Sequence, residues 1–333
     1  MVVHVDGKVG EDLLAEWGRK YFAVFFREGD KYVGVLAAEL KTLPKEIEPW
    51  VRDIYPTSSN IQLASREYKD ELRLIRLGTD IEIGGSSSRT LMIAGPCSVE
   101  SEEQIDQTAH FMKEIGVRII RAGCYKPRTS PYAFQGSGKK GLEWLVAAGK
   151  KYGLKVITEV RDATHFDEVA DLSDIIQVGA KAMYDQGILR GCGRSRKPVL
   201  IKRGFGSTLQ EFVQAAEFVL SGGNTQVMLC ERGIRSFETK TRFTLDLCGV
   251  AYLKYHTNLP IIVDPSHAMG AAYGVSDLSA AALAMGVDGL LIEVHPCPSR
   301  ALSDAAQQLD FQSFRSLYKR LDSLAQAVSR PLL

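Results

Sequence analysis

The chain has 333 residues, enough for two domains or for one large barrel with an appendage. Lys and Arg total 41 and Asp and Glu total 40, a net charge of +1 that excludes the one-sided charge of a nucleic-acid or anionic-membrane binder. An apolar fraction of 45% and a charged fraction of 24% exclude a disordered chain, and no apolar run reaches the ~18 residues of a membrane span. The start, MVVHVDGKVGEDLL, has no apolar signal core, so the expectation is a cytosolic globular protein. Six cysteines (Cys97, Cys124, Cys192, Cys230, Cys248 and Cys297) lie scattered without a CxxC pair, as free thiols would in a reducing compartment.

In chain order, VVHV predicts a strand, GEDLLAEWGRK a helix, and YFAVFF and KYVGVLA a hairpin around REGD. TLPKEIEPWVRDI then has helical spacing and IQLAS closes as a strand. That order, β-α-β-β-α-β, is the split ferredoxin-like arrangement, and it bounds a first domain at residues 1–72. Residues 73–90 read as a connector with a small hairpin.

From residue 91 onward, continuous apolar runs recur: 91–97, 117–124, 155–160, 174–180, 198–204, 226–233, 260–267 and 289–296. Such runs fit strands buried on both faces of a parallel sheet, and the stretches between them have helical spacing, several ending in Gly. Eight strand–helix units fit an α/β fold, a (β/α)8 TIM barrel over residues 91–333, whose typical size is about 250 residues. An open doubly wound sheet is the rival, but GPCSVES after the first strand is not the GxGxxG turn.

In such a barrel, active-site residues sit where strands end. Read at those ends, one subset is basic: Arg121, Lys126, Arg128, Lys181, Lys202, Arg203 and Arg232. Clustered guanidinium and ammonium groups suit phosphate and carboxylate ligands; internal pairing with Glu159, Glu231, Asp264 and Glu293 is the alternative. A second subset, Cys97, His267 and Glu293 with Asp304 beyond the last strand, offers thiolate, imidazole and carboxylate to a divalent cation. Spacing alone leaves Cys97 open to being a core thiol, and His295 rivals His267.

In this order, GPCSVES, KPRTSPYAFQG, LIKRGF, CERGIRSFE, VDPSH and EVHPCPSRALSD resemble 3-deoxy-D-arabino-heptulosonate 7-phosphate (DAHP) synthase, type I beta subgroup, over residues 90–315. The sibling octulosonate 8-phosphate synthase resembles KANRSS where this chain has KPRTSP, which points to erythrose 4-phosphate over arabinose 5-phosphate as acceptor. The resemblance implies the first step of the shikimate pathway: phosphoenolpyruvate (PEP), erythrose 4-phosphate and water give DAHP and phosphate. It implies a divalent metal (Mn, Fe, Zn or similar) on Cys97, His267, Glu293 and Asp304. It places PEP on Arg121, Lys126, Lys202 and Arg232, and the aldose phosphate on Arg128 and Thr129.

Lys126 or a metal-bound water is expected to protonate the aldehyde oxygen, and Glu231 or a metal-bound water to act as base. Asp264 and Ser266 complete the expected substrate-binding set, with Asp264 orienting its neighbours. The chain departs from the resemblance at GAKAM, where Lys181 stands for an arginine expected on the PEP phosphate, and after DPSH, where basic residues are missing. An amino-terminal sensor of Tyr or Phe, and a homo-oligomer (tetramer or dimer), are further implied.

Overall fold

The computed structural model describes residues 1–37, 39–40, 42–126, 130 and 132–333. Strands β1 (Val2–Asp6), β2 (Val24–Glu28), β3 (Lys31–Val35) and β4 (Val51–Tyr55) form an antiparallel sheet in the order β2-β3-β1-β4. Alternation along β1 divides its side chains. Val3 and Val5 pack with Leu14 and Trp17 of helix α1 (Glu11–Tyr21), while Val2 joins the core shared with the rest of the chain.

This sheet order is the one the split arrangement predicts, but the second helix is not there. Over TLPKEIEPWVRDI only a 3-10 turn forms, Glu48–Trp50, and Val51 onward is strand β4. Pro44 and Pro49 supply no backbone donors, and the β-branched Val51 and Ile54 extend beside β1, with Val3 opposite Ile54. Nor does IQLAS form a strand. The backbone amides of Gln62, Leu63 and Ala64 donate to the Glu217 carboxylate at 2.8, 3.2 and 2.8 Å, so a side chain takes the place of a neighbouring strand.

The expected hairpin follows as β5 (Leu74–Leu77) and β6 (Ile81–Gly84). Eight parallel strands then close a barrel: β7 (Leu91–Gly95), β8 (Ile119–Arg121), β9 (Lys155–Val160), β10 (Ile175–Val178), β11 (Val199–Lys202), β12 (Val227–Glu231), β13 (Ile261–Val263) and β14 (Gly289–Glu293). Between and after them run α2 (Glu102–Glu114), α3 (Gly138–Tyr152), α4 (Phe166–Leu172), α5 (Gln186–Arg194), α6 (Leu209–Ser221), α7 (Leu247–His256), α8 (Pro265–Met269), α9 (Val275–Ala284) and α10 (Phe311–Ala327). The architecture is the (β/α)8 barrel that the run pattern predicts.

Every second strand residue points into the barrel. Leu91, Ile93, Ile119, Ile157, Ile175, Leu200, Met228, Ile262 and Leu291 fill its lower part as one buried cluster. Ile75, Leu77, Ile81 and Ile83 of the hairpin belong to the same cluster and stopper that end. Among the described residues no helix is long and apolar enough to cross a membrane.

Candidate active site

The alternation that lines the lower barrel with apolar groups continues upward on the same strands. Two residues beyond Ile119, Ile157, Ile175, Leu200, Ile262 and Leu291 come Arg121, Glu159, Gln177, Lys202, Asp264 and Glu293. The inward face therefore changes from hydrocarbon to charge at the carboxyl ends of the strands, where barrels of this kind keep their sites.

At that end, donor atoms of Cys97, Glu293 and Asp304 lie within 4.8 Å of one another. The Cys97 thiol donates to Asp304 Oδ2 at 3.3 Å, and His267 Nε2 is 3.4 Å from Glu293 Oε1. Three of the four expected ligands thus cluster, and the fourth, His267, stands at their edge against Glu293. His295 does not: its Nε2 is 3.4 Å from Glu100 and its Nδ1 accepts the Cys297 amide. Burial pushes the Cys97 thiol up to about 12, with Glu293 adding to the rise and Lys126 opposing it. Burial also lowers His267, keeping its imidazole neutral and able to bind a cation. At Asp304 burial works upward, but His267, Arg242 and Lys126 outweigh it and hold the carboxyl at about 2. One sulfur, one nitrogen and carboxylate oxygens in this proximity fit a divalent metal; binding would release the thiol proton.

Beside the donors is a cavity of about 120 Å³ whose wall carries four cations, Lys126, Lys181, Lys202 and Arg232, together with His267 and Asp304. Ala180 and Phe205 complete it, with Glu159 as a further carboxylate. Lys126 Nζ links cavity and donors, lying 3.0 Å from both the sulfur and the carbonyl oxygen of Cys97. Arg232 is held by a face contact, its guanidinium carbon 4.2 Å from the Phe243 ring centre, and burial lowers its pKa. Lys202 donates to Asp264 Oδ2 at 2.5 Å, and the same oxygen is 2.7 Å from His267 Nδ1.

Several expected residues have other places. Glu231 is out of phase with Met228 and Cys230, whose side chains are in the barrel interior, so strand alternation turns it outward toward the helices. There it is fully buried, accepts from Arg203 at 2.9 Å and from the Gly233 amide at 2.7 Å, and does not line the cavity. Glu231, expected as base alongside a metal-bound water, therefore does not face the cavity. Arg203, one position out of phase with Lys202, is spent on Glu231 and Asp246. Ser266 is fully buried with its Oγ accepting the Glu293 amide at 3.0 Å, and Asp264 is equally buried; neither lines the cavity. Arg121 lies beneath the cavity, donating to Glu293 Oε1 at 2.7 Å, with its Nε unpartnered. Arg128 and Thr129 lie outside the described residues.

The sequence suggests Glu159 only as a pairing partner for the cations and gives Gln177 no role. Gln177 Nε2 donates to Glu159 at 2.7 Å, and a Cβ on Gly179 would fall 2.2 Å from the same carboxylate, so the glycine leaves room for it. The signal was available: both residues share the inward phase of Lys202 and Glu293.

Residues 65–330 match the DAHP synthetase I family. The chain is 47% identical over 282 residues to phospho-2-dehydro-3-deoxyheptonate aldolase of Thermotoga maritima, covering 85% of this chain and 81% of that protein. It is 32% identical over 269 residues to 2-dehydro-3-deoxyphosphooctonate aldolase of Francisella philomiragia, covering 74% of this chain and 96% of that protein. The crystal structure of the Thermotoga maritima DAHP synthase superimposes with a TM-score of 0.81 at 39% identity, covering 100% of this chain and 99% of its own. A truncated form of 3-deoxy-D-arabino-heptulosonate 7-phosphate synthase from the same organism gives 0.76 at 44% identity, covering 81% of this chain and 98% of its own.

Proposed function

The chain belongs to the DAHP synthetase I family, and from that premise we propose that it condenses PEP with erythrose 4-phosphate to give DAHP and inorganic phosphate. The observation that carries this reading is the cavity itself, four cations around a space whose wall includes two of the four metal-binding candidates. PEP brings a phosphate and a carboxylate, about three negative charges, and a small polycationic cleft orients such a polyanion while offsetting its charge.

Cys97, His267, Glu293 and Asp304 would hold a divalent cation, which supplies Lewis-acid polarisation of the aldehyde oxygen when bound. The chain's own groups do the rest. Lys202, Lys181 and Arg232 bind PEP, with Lys202 fixed from behind by Asp264. Lys126 Nζ stands between cavity and donors and holds the proton that the aldehyde oxygen takes as the PEP methylene carbon bonds to the aldehyde carbon. Water then adds to the former enol carbon and phosphate leaves. Glu159 is the carboxylate of the wall placed to take the proton of that water, in the part first given to Glu231.

The test is phosphate release from PEP with erythrose 4-phosphate and with arabinose 5-phosphate, each with chelator and with Mn²⁺ restored. The expected result is metal-dependent release with a clear preference for the four-carbon acceptor. Preference for the pentose would reassign the enzyme to octulosonate chemistry. No release with any aldose phosphate would favour a non-catalytic barrel protein.

Residues 1–72 are proposed as a separate regulatory unit sensing Tyr or Phe, joined through 73–90 to a catalytic unit at 91–333. Equal insensitivity to millimolar Tyr or Phe with and without residues 1–75 would end that idea. A homo-oligomer, tetramer or dimer, is part of the same reading and is checked by light scattering.

A further inference from the structure

We infer that Gln307 and Gln308 form a paired clamp that positions two donors of the metal centre, Glu293 and Cys97, and that Arg242 sets the direction of that clamp. The inference rests on the metal-centre reading above and concerns residues that do not line the cavity, although Arg242 Nη1 also lies 3.5 Å from Asp304 Oδ1.

Both glutamines are buried, at 1% and 2% exposure, and a buried amide is costly unless its donors and acceptor are used. Gln307 Nε2 donates to Glu293 Oε2 at 2.6 Å. Its neighbour reaches a different donor, Gln308 Oε1 accepting the Cys97 backbone amide at 2.9 Å. An amide side chain can be turned either way, so its partners decide its direction. Arg242 has only donors to offer, and its Nη1 lies 2.7 Å from Gln307 Oε1; the amino group must then face Glu293. Gln308 is likewise fixed, because its Nε2 donates to the Ser303 carbonyl at 2.9 Å.

The backbone locks this pair to the last strand. The Leu309 amide donates to the Glu293 carbonyl, and the His295 amide to the Leu309 carbonyl, each at 2.9 Å. Asp304, itself a donor candidate, opens the same segment in a left-handed conformation at φ 47. One stretch of six residues therefore supplies one donor and grips two others that come from opposite ends of the barrel sequence. Glu293 is held on both oxygens, by Arg121 on Oε1 and by Gln307 on Oε2.

The test is titration of the metal-stripped full-length protein with Co²⁺, following the thiolate-to-cobalt absorption and competition by a chelator. Gln307→Met keeps the side-chain volume and removes the donor. It should weaken Co²⁺ binding by about 10–100-fold, the usual cost of losing an outer partner of a ligand, in a metal-free protein that still unfolds cooperatively. Gln307→Glu keeps the Arg242 contact but turns an acceptor toward Glu293, and should weaken binding at least as much. Gln308→Met should lower the affinity through Cys97 in the same way. Unchanged Co²⁺ affinity in a folded Gln307 variant would overturn the clamp. If the unaltered protein shows no thiolate-to-cobalt absorption, the metal-centre reading falls first, and the clamp with it.

Discussion

The two ends of the barrel interior are built on the same strands and differ in what two residues of chain make of them. At the lower end Ile119, Ile157, Leu200, Ile262 and Leu291 pack with a hairpin stopper of Ile75, Leu77, Ile81 and Ile83. Two positions on, the same inward phase presents Arg121, Glu159, Lys202, Asp264 and Glu293. Burying the first set contributes stability, whereas the second set gains little from burial alone and is held by mutual pairing such as Lys202 with Asp264 and Arg121 with Glu293. The molecule separates what holds the barrel together from what works in it along one axis.

That separation can be broken from either end. The largest effect is expected from Cys97→Ala, which removes one of the proposed metal donors. Its loss of activity should exceed the about 10–100-fold typical of an outer partner, together with lost metal affinity, while the melting temperature of the metal-free protein stays near that of the parent. Metal titration beside phosphate release checks it. From the other end, Ile75→Ala opens a cavity in the stopper and should cost about 2–5 kcal/mol of stability, read by denaturant unfolding, with KM for PEP unchanged.

Two smaller changes sharpen the boundary. Glu231→Gln should cost about 1–3 kcal/mol, because Arg203 loses a buried charge partner while keeping Asp246. The pH dependence of kcat should not move; if it does, Glu231 reaches the chemistry after all. Lys181→Arg should have the smallest effect. A two-pronged guanidinium at an exposed cavity position should lower KM for PEP by only a few-fold, on the order of 0.5–1 kcal/mol, with kcat constant.

Much of this was legible beforehand for a physical reason. Strands such as KVITEV and GLLIEV are apolar on both faces only because helices cover one and the barrel interior the other, so the eightfold alternation could be read from local runs. Cys97, His267 and Glu293 follow or end barrel strands, which the barrel rule places at one mouth, while Asp304 lies beyond the last strand and was expected there from the resemblance. The second amino-terminal helix is absent because Pro44, Pro49 and the β-branched Val51 and Ile54 override the helical spacing of that stretch. IQLAS failed because its amides found a carboxylate 155 positions away along the chain, at Glu217, which no local pattern reveals.

By itself the sequence determined the barrel and a basic set of side chains at its strand ends, since these follow from local hydrophobic pattern, whereas the expected metal donors rested on the resemblance to DAHP synthase. Only the tertiary structure decided which of two adjacent charges, Lys202 or Arg203 and Glu231 or Arg232, faces the cavity. It also decided that Gln307 and Gln308 grip Glu293 and Cys97. The reason is that a run apolar on both faces does not by itself show which phase is inward, and the partners of these side chains lie far along the chain.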